Sequence, residues 1–270
     1  TQFNLFKKNE INLKKIEELK SFCDKIKIHF HATPTSEIGI NELIEIGVDV
    51  IKNGSDFLTN TKMLKCLSKK KLPIVLSTGM CTEREIKYAL SFFKNYNKNN
   101  IILLHCVSNY PARDSEANTL RVDSLKKRFK TLVGYSDHTK GNESAIMARV
   151  YGSVWFEKHF TINRDLKGPD HHFSSNPLSF KEYCSSIKNL SKMVGSGSID
   201  YSENETHARK NYGISCVAKL DIEKGTKLTP SHLEFKRPGT GIKPYEINKI
   251  INKKTIKKIK KNEIITLKSF

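Results

Sequence analysis

Short apolar runs recur along the first two thirds of this chain, with longer amphipathic stretches between them. The runs are "KIHFHAT" (27–33), "VDVIKNG" (48–54), "LPIVLSTG" (72–79), "IILLHCV" (101–107), "TLVGYSD" (131–137) and "SVWFEKHF" (153–160). Between them lie helical patterns such as "SEIGINELIEIG", "TEREIKYALSFFK" and "NESAIMARVYG". Strands alternating with helices at this spacing indicate βαβ units and a parallel sheet. The runs are nearly all apolar, as strands buried on both faces are. This succession, with no GxGxxG after any strand, favours a (β/α) barrel over a doubly wound sheet. A closed barrel needs eight strands. The opening segment "LKKIEELKSFCDK" reads as the helix that would follow a second strand. The expectation is an α/β fold: a (β/α)8 TIM barrel lacking its first two βα units.

The alternation stops near residue 192. "KMVGSGSIDYSENETH" is a polar stretch rich in Gly, Ser and Asn, which places a linker at 193–207 after a partial barrel over 1–192. Residues 208–270 read as a small β-rich domain of short pieces and Gly/Pro turns, with one helix-like segment, "KPYEINKII". About 60 residues is near the size at which a core is only marginal, so this domain is expected to lean on a neighbour.

Composition narrows the function. The 270 residues are 37% hydrophobic and 28% charged, the balance of a soluble globular protein. No apolar run approaches the ~18 residues of a membrane-spanning helix. The first residues carry no apolar signal segment, so a cytoplasmic location is expected. The net charge of +19 points either to a polyanion partner or to a Lys-rich solvated surface. The lysines are spread along the chain, and the densest cluster, 252–263, lacks interleaved aromatics. Neither nucleic acid nor membrane is therefore expected as a partner. The six cysteines form no CxxC pair, which argues against a zinc knuckle and a disulfide scaffold.

In a (β/α) barrel the chemistry sits at the C-terminal ends of the strands. Ser136 and His138 are two apart, so both point to one face. Glu157 and His159 repeat that spacing on the next strand. Neighbouring strands lie about 4.8 Å apart, so His138 and His159 are candidate ligands of one divalent cation, with positions left open for substrate. Lys52 precedes a Gly54-Ser55 turn, a plausible phosphate site. Ser77, Thr78 and Gly79 end the next strand, and Ser108, Asn109 and Tyr110 the one after. Together they form a ring of small donors around one lysine, which suits a phosphorylated substrate. Asp170, His171 and His172 lie on a following loop able to cover the mouth; their groups suit polyol hydroxyls. His105, within a strand, reads as structural. So does Asp137, on the face opposite Ser136. Cys81 and Cys106 lack a partnered base.

Taken in order, "LSTGM", "LLHCVSNYPA", "GYSDHT", "EKHFT" and "GPDHHFS" resemble the sialic acid synthase family. "KLDIEKGTKLTPSHLEFKRPGTGI" resembles the antifreeze-like (SAF) domain, a β-clip fold, that ends those enzymes. The resemblance implies condensation of phosphoenolpyruvate with the open-chain aldehyde of N-acetylmannosamine or a related sugar, forming N-acetylneuraminate or another nonulosonic acid and releasing phosphate. It implies a divalent metal, Mn²⁺ with Mg²⁺ or Co²⁺ as alternatives, held by His138 and His159. It assigns phosphoenolpyruvate contacts to Lys52, Ser55, Ser77, Ser108 and Ser136, and sugar contacts to Tyr110 and Asp170. Arg237 matches an arginine that the SAF domain inserts into the partner subunit's barrel, which implies a domain-swapped homodimer. His29 and His31 in "HFHATPTS" stand where many members read "FSTPF".

Two other readings remain beside an N-acetylneuraminate synthase. Legionaminate and pseudaminate synthases share these motifs. A chain short of two barrel units is alternatively an inactive fragment that binds a partner or sugar.

Overall fold

The structure, a computed structural model, describes residues 2–270. It divides into two compact units, one ending at Ser196 and the other running Gly197–Phe270. The first contains a five-stranded parallel sheet: β1 (Ile51–Asn53), β2 (Ile74–Ser77), β3 (Ile101–Cys106), β4 (Leu132–Asp137) and β5 (Trp155–Lys158). Its helices are α1 (Gln2–Lys8), α2 (Leu13–Lys25), α3 (Glu37–Ile46), α4 (Thr61–Leu67), α5 (Glu83–Leu90), α6 (Leu120–Phe129), α7 (Glu143–Val150) and α8 (Pro177–Met193). Strand order follows chain order, and one α-helix, from α4 to α7, lies in each crossover. The order never reverses, so the sheet has no switch point of the doubly wound kind.

Period-two alternation sorts the side chains. One parity, including Ile51, Ile74, Leu76, Ile101, Leu103, Val133 and Tyr135, joins the main core with residues of the surrounding helices. The other parity carries a smaller apolar cluster, Val75, Ile102 and Leu104 with Val50, Leu132 and Trp155 against it. Beyond that cluster, toward the C-terminal strand ends, the same parity turns polar.

The sheet curls as half a barrel does. Lys52 is in register with Val75, Val75 with Ile102, and Ile102 with Leu132. Because Gly134 pairs with Trp155, that row reaches β5's chain at Ser153. Yet Lys52 Nζ meets Glu157 Oε2 at 3.0 Å, four residues further on (157 − 153). An eight-stranded barrel shifts register by about eight residues per circuit, so half a circuit shifts by about four.

The expected strand over 27–33 is not formed. Residues 28–33 take no regular secondary structure and form no ladder bonds. Side chains hold the segment instead: His29 Nδ1 pairs with Asp49 Oδ2 at 2.6 Å, and the His31 ring lies against Trp155. The sheet therefore has five strands among the described residues, one fewer than the sequence pattern suggested.

The second unit contains α9 (Thr206–Tyr212) and an antiparallel pair, β6 (Ser215–Ala218) and β7 (Leu233–Lys236). Its core is Cys216, Ala218, Ile222, Leu228, Leu233, Ile242, Ile250, Ile259 and Ile265. Isolated bridges such as Val217 to Ile264 and Ile222 to Ile259 add to the fold. The helix-like "KPYEINKII" is a 3-10 turn over Pro244–Lys249. Among the described residues no helix is long and apolar enough to cross a membrane.

One buried ion pair ties β4 to β5 on the helix-covered face. Lys158 Nζ donates to Asp137 Oδ2 (2.8 Å) and to the carbonyls of Thr139 (2.6 Å) and Gly141 (2.8 Å). Asp137 Oδ1 accepts from the Thr139 N–H, the Thr139 hydroxyl and the Ser144 hydroxyl. The two side chains are only 2% and 0% exposed. Removing the lysine alone strands a buried carboxylate, so Lys158→Met is expected to destabilise this unit by roughly 3–5 kcal/mol. The readout is the denaturation midpoint followed by fluorescence of Trp155, the chain's single tryptophan. Asp137→Leu together with Lys158→Met should cost less than Lys158→Met alone. An unmoved midpoint in the single variant would remove this account of the pair.

Candidate active site

The polar ends of the inward-facing positions converge on one mouth. His138 follows β4 and His159 follows β5, each one residue past its strand. Their ring centroids are 5.3 Å apart and the planes are nearly perpendicular, at 85°. His138 Nδ1–H donates to the Val107 carbonyl at 2.5 Å, which leaves Nε2 as the lone-pair nitrogen. Ser136 Oγ lies 3.3 Å from that Nε2. His159 Nδ1 faces Asp170 Oδ2 at 3.5 Å. Burial lowers the pKa of both imidazoles, so both favour the neutral form that a metal needs.

These residues fit a divalent ion. A ring centre lies about 3.2 Å from a metal ligated at about 2.1 Å, so two imidazoles on one tetrahedral ion have centres about 5 Å apart. The observed spacing matches. Asp170 stands where a carboxylate that orients a ligating histidine stands. Among the described residues no three His, Cys, Asp or Glu side chains form a metal-binding group. The candidate ligand set among the described residues is therefore the two imidazoles alone.

The hydroxyl ring is assembled beside it. Ser55 Oγ accepts from the Gly79 N–H (3.0 Å) and lies 3.3 Å from Cys106 Sγ. Ser77 Oγ is buried with no hydrogen-bond partner within the protein. Such an atom is costly unless a ligand or water satisfies it. A Cβ on Gly79 would lie 2.5 Å from Ser108 Oγ, 2.7 Å from Cys106 Sγ and 2.9 Å from Ser55 Oγ. The Ser55, Ser108 and Gly79 turns therefore meet at a point that only glycine allows. Thr78 is turned away, its hydroxyl donating to the Leu104 carbonyl. The Tyr110 ring lies against both histidines in tilted contacts, with centroids 4.4 Å from His138 and 5.4 Å from His159 and planes at 39° and 57°.

Three further placements answer the sequence reading. His105 Nε2 lies 2.8 Å from the Ala117 carbonyl on the helix-covered face, a structural place. Burial pushes the Cys81 thiol up to about 11 and raises Cys106 too, so neither is a thiolate near neutral pH. Arg237 belongs to the second unit, where its guanidinium lies 5.6 Å from the Tyr212 ring centre.

Sequence reasoning placed Glu157 on the face of His159 but gave it no task. The structure pairs it with Lys52, both about one-fifth exposed. That partnership depends on register across half a barrel, which no local pattern reveals.

Residues 1–199 match the profile of the NeuB family, and residues 215–270 match the SAF domain. This chain belongs to the NeuB family. The family chain is 38% identical to the N,N'-diacetyllegionaminic acid synthase of Campylobacter jejuni, over 98% of this chain and 80% of that one. It is 36% identical to the enzyme of the same name from Legionella pneumophila, over 93% of this chain and 72% of that one. Among solved structures, the N-acetylneuraminic acid synthetase of Leptospira borgpetersenii, in complex with citrate, is similar at 35% identity and a TM-score of 0.72. That match covers 76% of this NeuB-family chain and 72% of the other.

The crowding at Gly79 gives a direct test. Gly79→Ala must displace three side chains, so it should destabilise the first unit by about 1–3 kcal/mol. Adding Ser108→Ala removes the nearest obstacle and should recover part of that loss in the same Trp155-detected unfolding experiment. Full additivity of the two substitutions would contradict the contact.

Proposed function

We propose that this chain is a nonulosonic acid synthase. It joins phosphoenolpyruvate to the open-chain aldehyde of N-acetylmannosamine or a related hexosamine-derived sugar, takes up water and releases inorganic phosphate. One arrangement supports the reading: two histidine rings 5.3 Å apart, a lysine and a set of small donors lie at the C-terminal ends of parallel strands.

Each role follows from chemistry. Lys52 supplies charge to the phosphoenolpyruvate anion, and Ser55, Ser77, Ser108 and Ser136 supply hydroxyl donors. The buried Ser77 hydroxyl, unpartnered within the protein, is free to donate to a ligand oxygen. A divalent ion, Mn²⁺ or alternatively Mg²⁺ or Co²⁺, would be held by His138 and His159 and would supply Lewis acidity at a carbonyl oxygen. Tyr110, in tilted contact with both imidazoles, and Asp170, beside His159, line the sugar end. Arg237 serves that end from a second copy of the chain, as a domain-swapped homodimer allows.

The acceptor is a matter of substituents on the sugar. Two legionaminic acid synthases at 36–38% identity favour a di-N-acetylated acceptor as the second reading, with a pseudaminate-type acceptor beside it. The competing reading is an inactive binding fragment.

Phosphate release from phosphoenolpyruvate with each aldehyde, in the presence of Mn²⁺, separates these readings. Turnover with one acceptor names the sugar class; none with any hexosamine-derived aldehyde favours the fragment. His138→Ala and His159→Ala should each lower metal-dependent turnover by about 100-fold or more. Retained activity in either would remove the metal assignment.

The swapped arginine has its own test. Arg237→Ala and His138→Ala should each be nearly inactive alone. Mixed dimers of the two should regain turnover, because one of their two sites is then intact. A mixture as inactive as its components would place Arg237 in its own subunit's site, and full activity of Arg237→Ala alone would place it outside the site.

A further inference from the structure

Trp155 lies two residues before Glu157 on the inward face of β5. Room for its ring is made by the opposite residue: Gly134 is its register partner. A Cβ on Gly134 would lie 2.8 Å from Trp155 Cβ and 2.3 Å from Leu104 Cδ2. The ring packs against the cluster of Val75, Ile102 and Leu104. The His31 ring lies against it, with centroids 5.2 Å apart and planes at 57°. His31 Nδ1 is buried without a hydrogen-bond partner in the protein; burial lowers the pKa of this imidazole, with the Glu157 charge acting against that and the Lys52 charge with it, so the ring sits close to both.

The indole is therefore held by its surroundings, and its one polar atom is aimed at the site. Nε1–H donates to Glu157 Oε1 at 3.3 Å, while Glu157 Oε2 meets Lys52 Nζ at 3.0 Å. Glu and Lys are long, flexible side chains, and fixing them costs rotamer entropy. A carboxylate gripped at one oxygen by a rigid donor loses that freedom before any ligand arrives.

We propose that Trp155, backed by His31, is a positioning residue: its indole N–H fixes Glu157, and through Glu157 fixes the Lys52 ammonium for an anionic substrate. The substrate part of this inference rests on the reading of Lys52 given above. The positioning part does not.

Trp155→Phe keeps most of the ring and removes the N–H. The first measurement is acetic anhydride labelling of the whole chain, with Lys52 modification quantified by mass spectrometry against exposed lysines. Freed of its anchor, the pair should open more often, and Lys52 should label roughly threefold to tenfold faster, the scale of one hydrogen bond. In a Glu157→Gln background the same substitution should add nothing further. An unchanged rate in the single variant overturns the proposal. So does an equal acceleration in the Glu157→Gln background, which would mean that Trp155 acts only as bulk.

The second measurement is steady-state kinetics. Trp155→Phe should raise KM for phosphoenolpyruvate roughly tenfold, with kcat changed less than about twofold. An unchanged KM in an active enzyme overturns the proposal. If the unaltered protein binds no phosphoenolpyruvate, the functional reading falls, and the labelling result still decides the positioning claim. Should Trp155→Phe fail to fold, biosynthetic replacement of this single tryptophan by benzothienylalanine keeps the ring shape without the N–H, and the same outcomes apply.

Discussion

A strand in a parallel sheet sends successive side chains to opposite faces, and the rest of this molecule follows from which face each residue takes. Inward parity gives the apolar residues Val75, Ile102 and Leu104 at the base, then Ser77, Ser136 and Glu157 toward the strand ends. A four-residue register shift across five strands then brings Lys52 to Glu157. The site is thus a consequence of strand tilt as much as of residue type. Without the tilt, the lysine of the first strand and the glutamate of the fifth would stand at different heights.

The opposite parity holds that register in place. Asp137 lies between Ser136 and His138, and Lys158 lies between Glu157 and His159. The two meet as a fully satisfied ion pair on the helix-covered face. A slip of one residue would turn this pair into the barrel interior and carry the candidate ligands out among the helices. A buried ion pair is weak evidence of net stability. Here its geometry penalises the wrong register, which is where its effect on the site lies.

Much of this was legible in the sequence because the signals are local. Apolar runs bounded by Gly and Ser, residues two apart, and motifs in family order give the strands, the inward face and the histidine pair. Three things were not legible. Residues 27–33 carry a strand-like pattern, but a strand also needs ladder partners, and here His29 and His31 form side-chain contacts instead. The pairing of Lys52 with Glu157 joins residues 105 apart in sequence (157 − 52) and depends on curvature, which no window contains. The tryptophan at 155 read as one apolar strand residue among others, because its polar contact is visible only beside Glu157.

Charge shows why such pairing matters more than the overall excess of +19. At the mouth, Lys52 is balanced by Glu157, and burial keeps His138 and His159 toward neutrality. With Asp170 beside His159, the site carries none of the basic excess of the chain as a whole. Surface lysines are screened beyond about 8–10 Å at ordinary ionic strength, so they steer an anion without holding it. On the proposed function, retention of the anion rests on the directed groups: the Lys52 ammonium, the Gly79 turn and the serine hydroxyls. On the proposed function, discrimination between phosphoenolpyruvate and any other anion then rests on geometry rather than on total charge, and geometry is what the register and its buried ion pair fix.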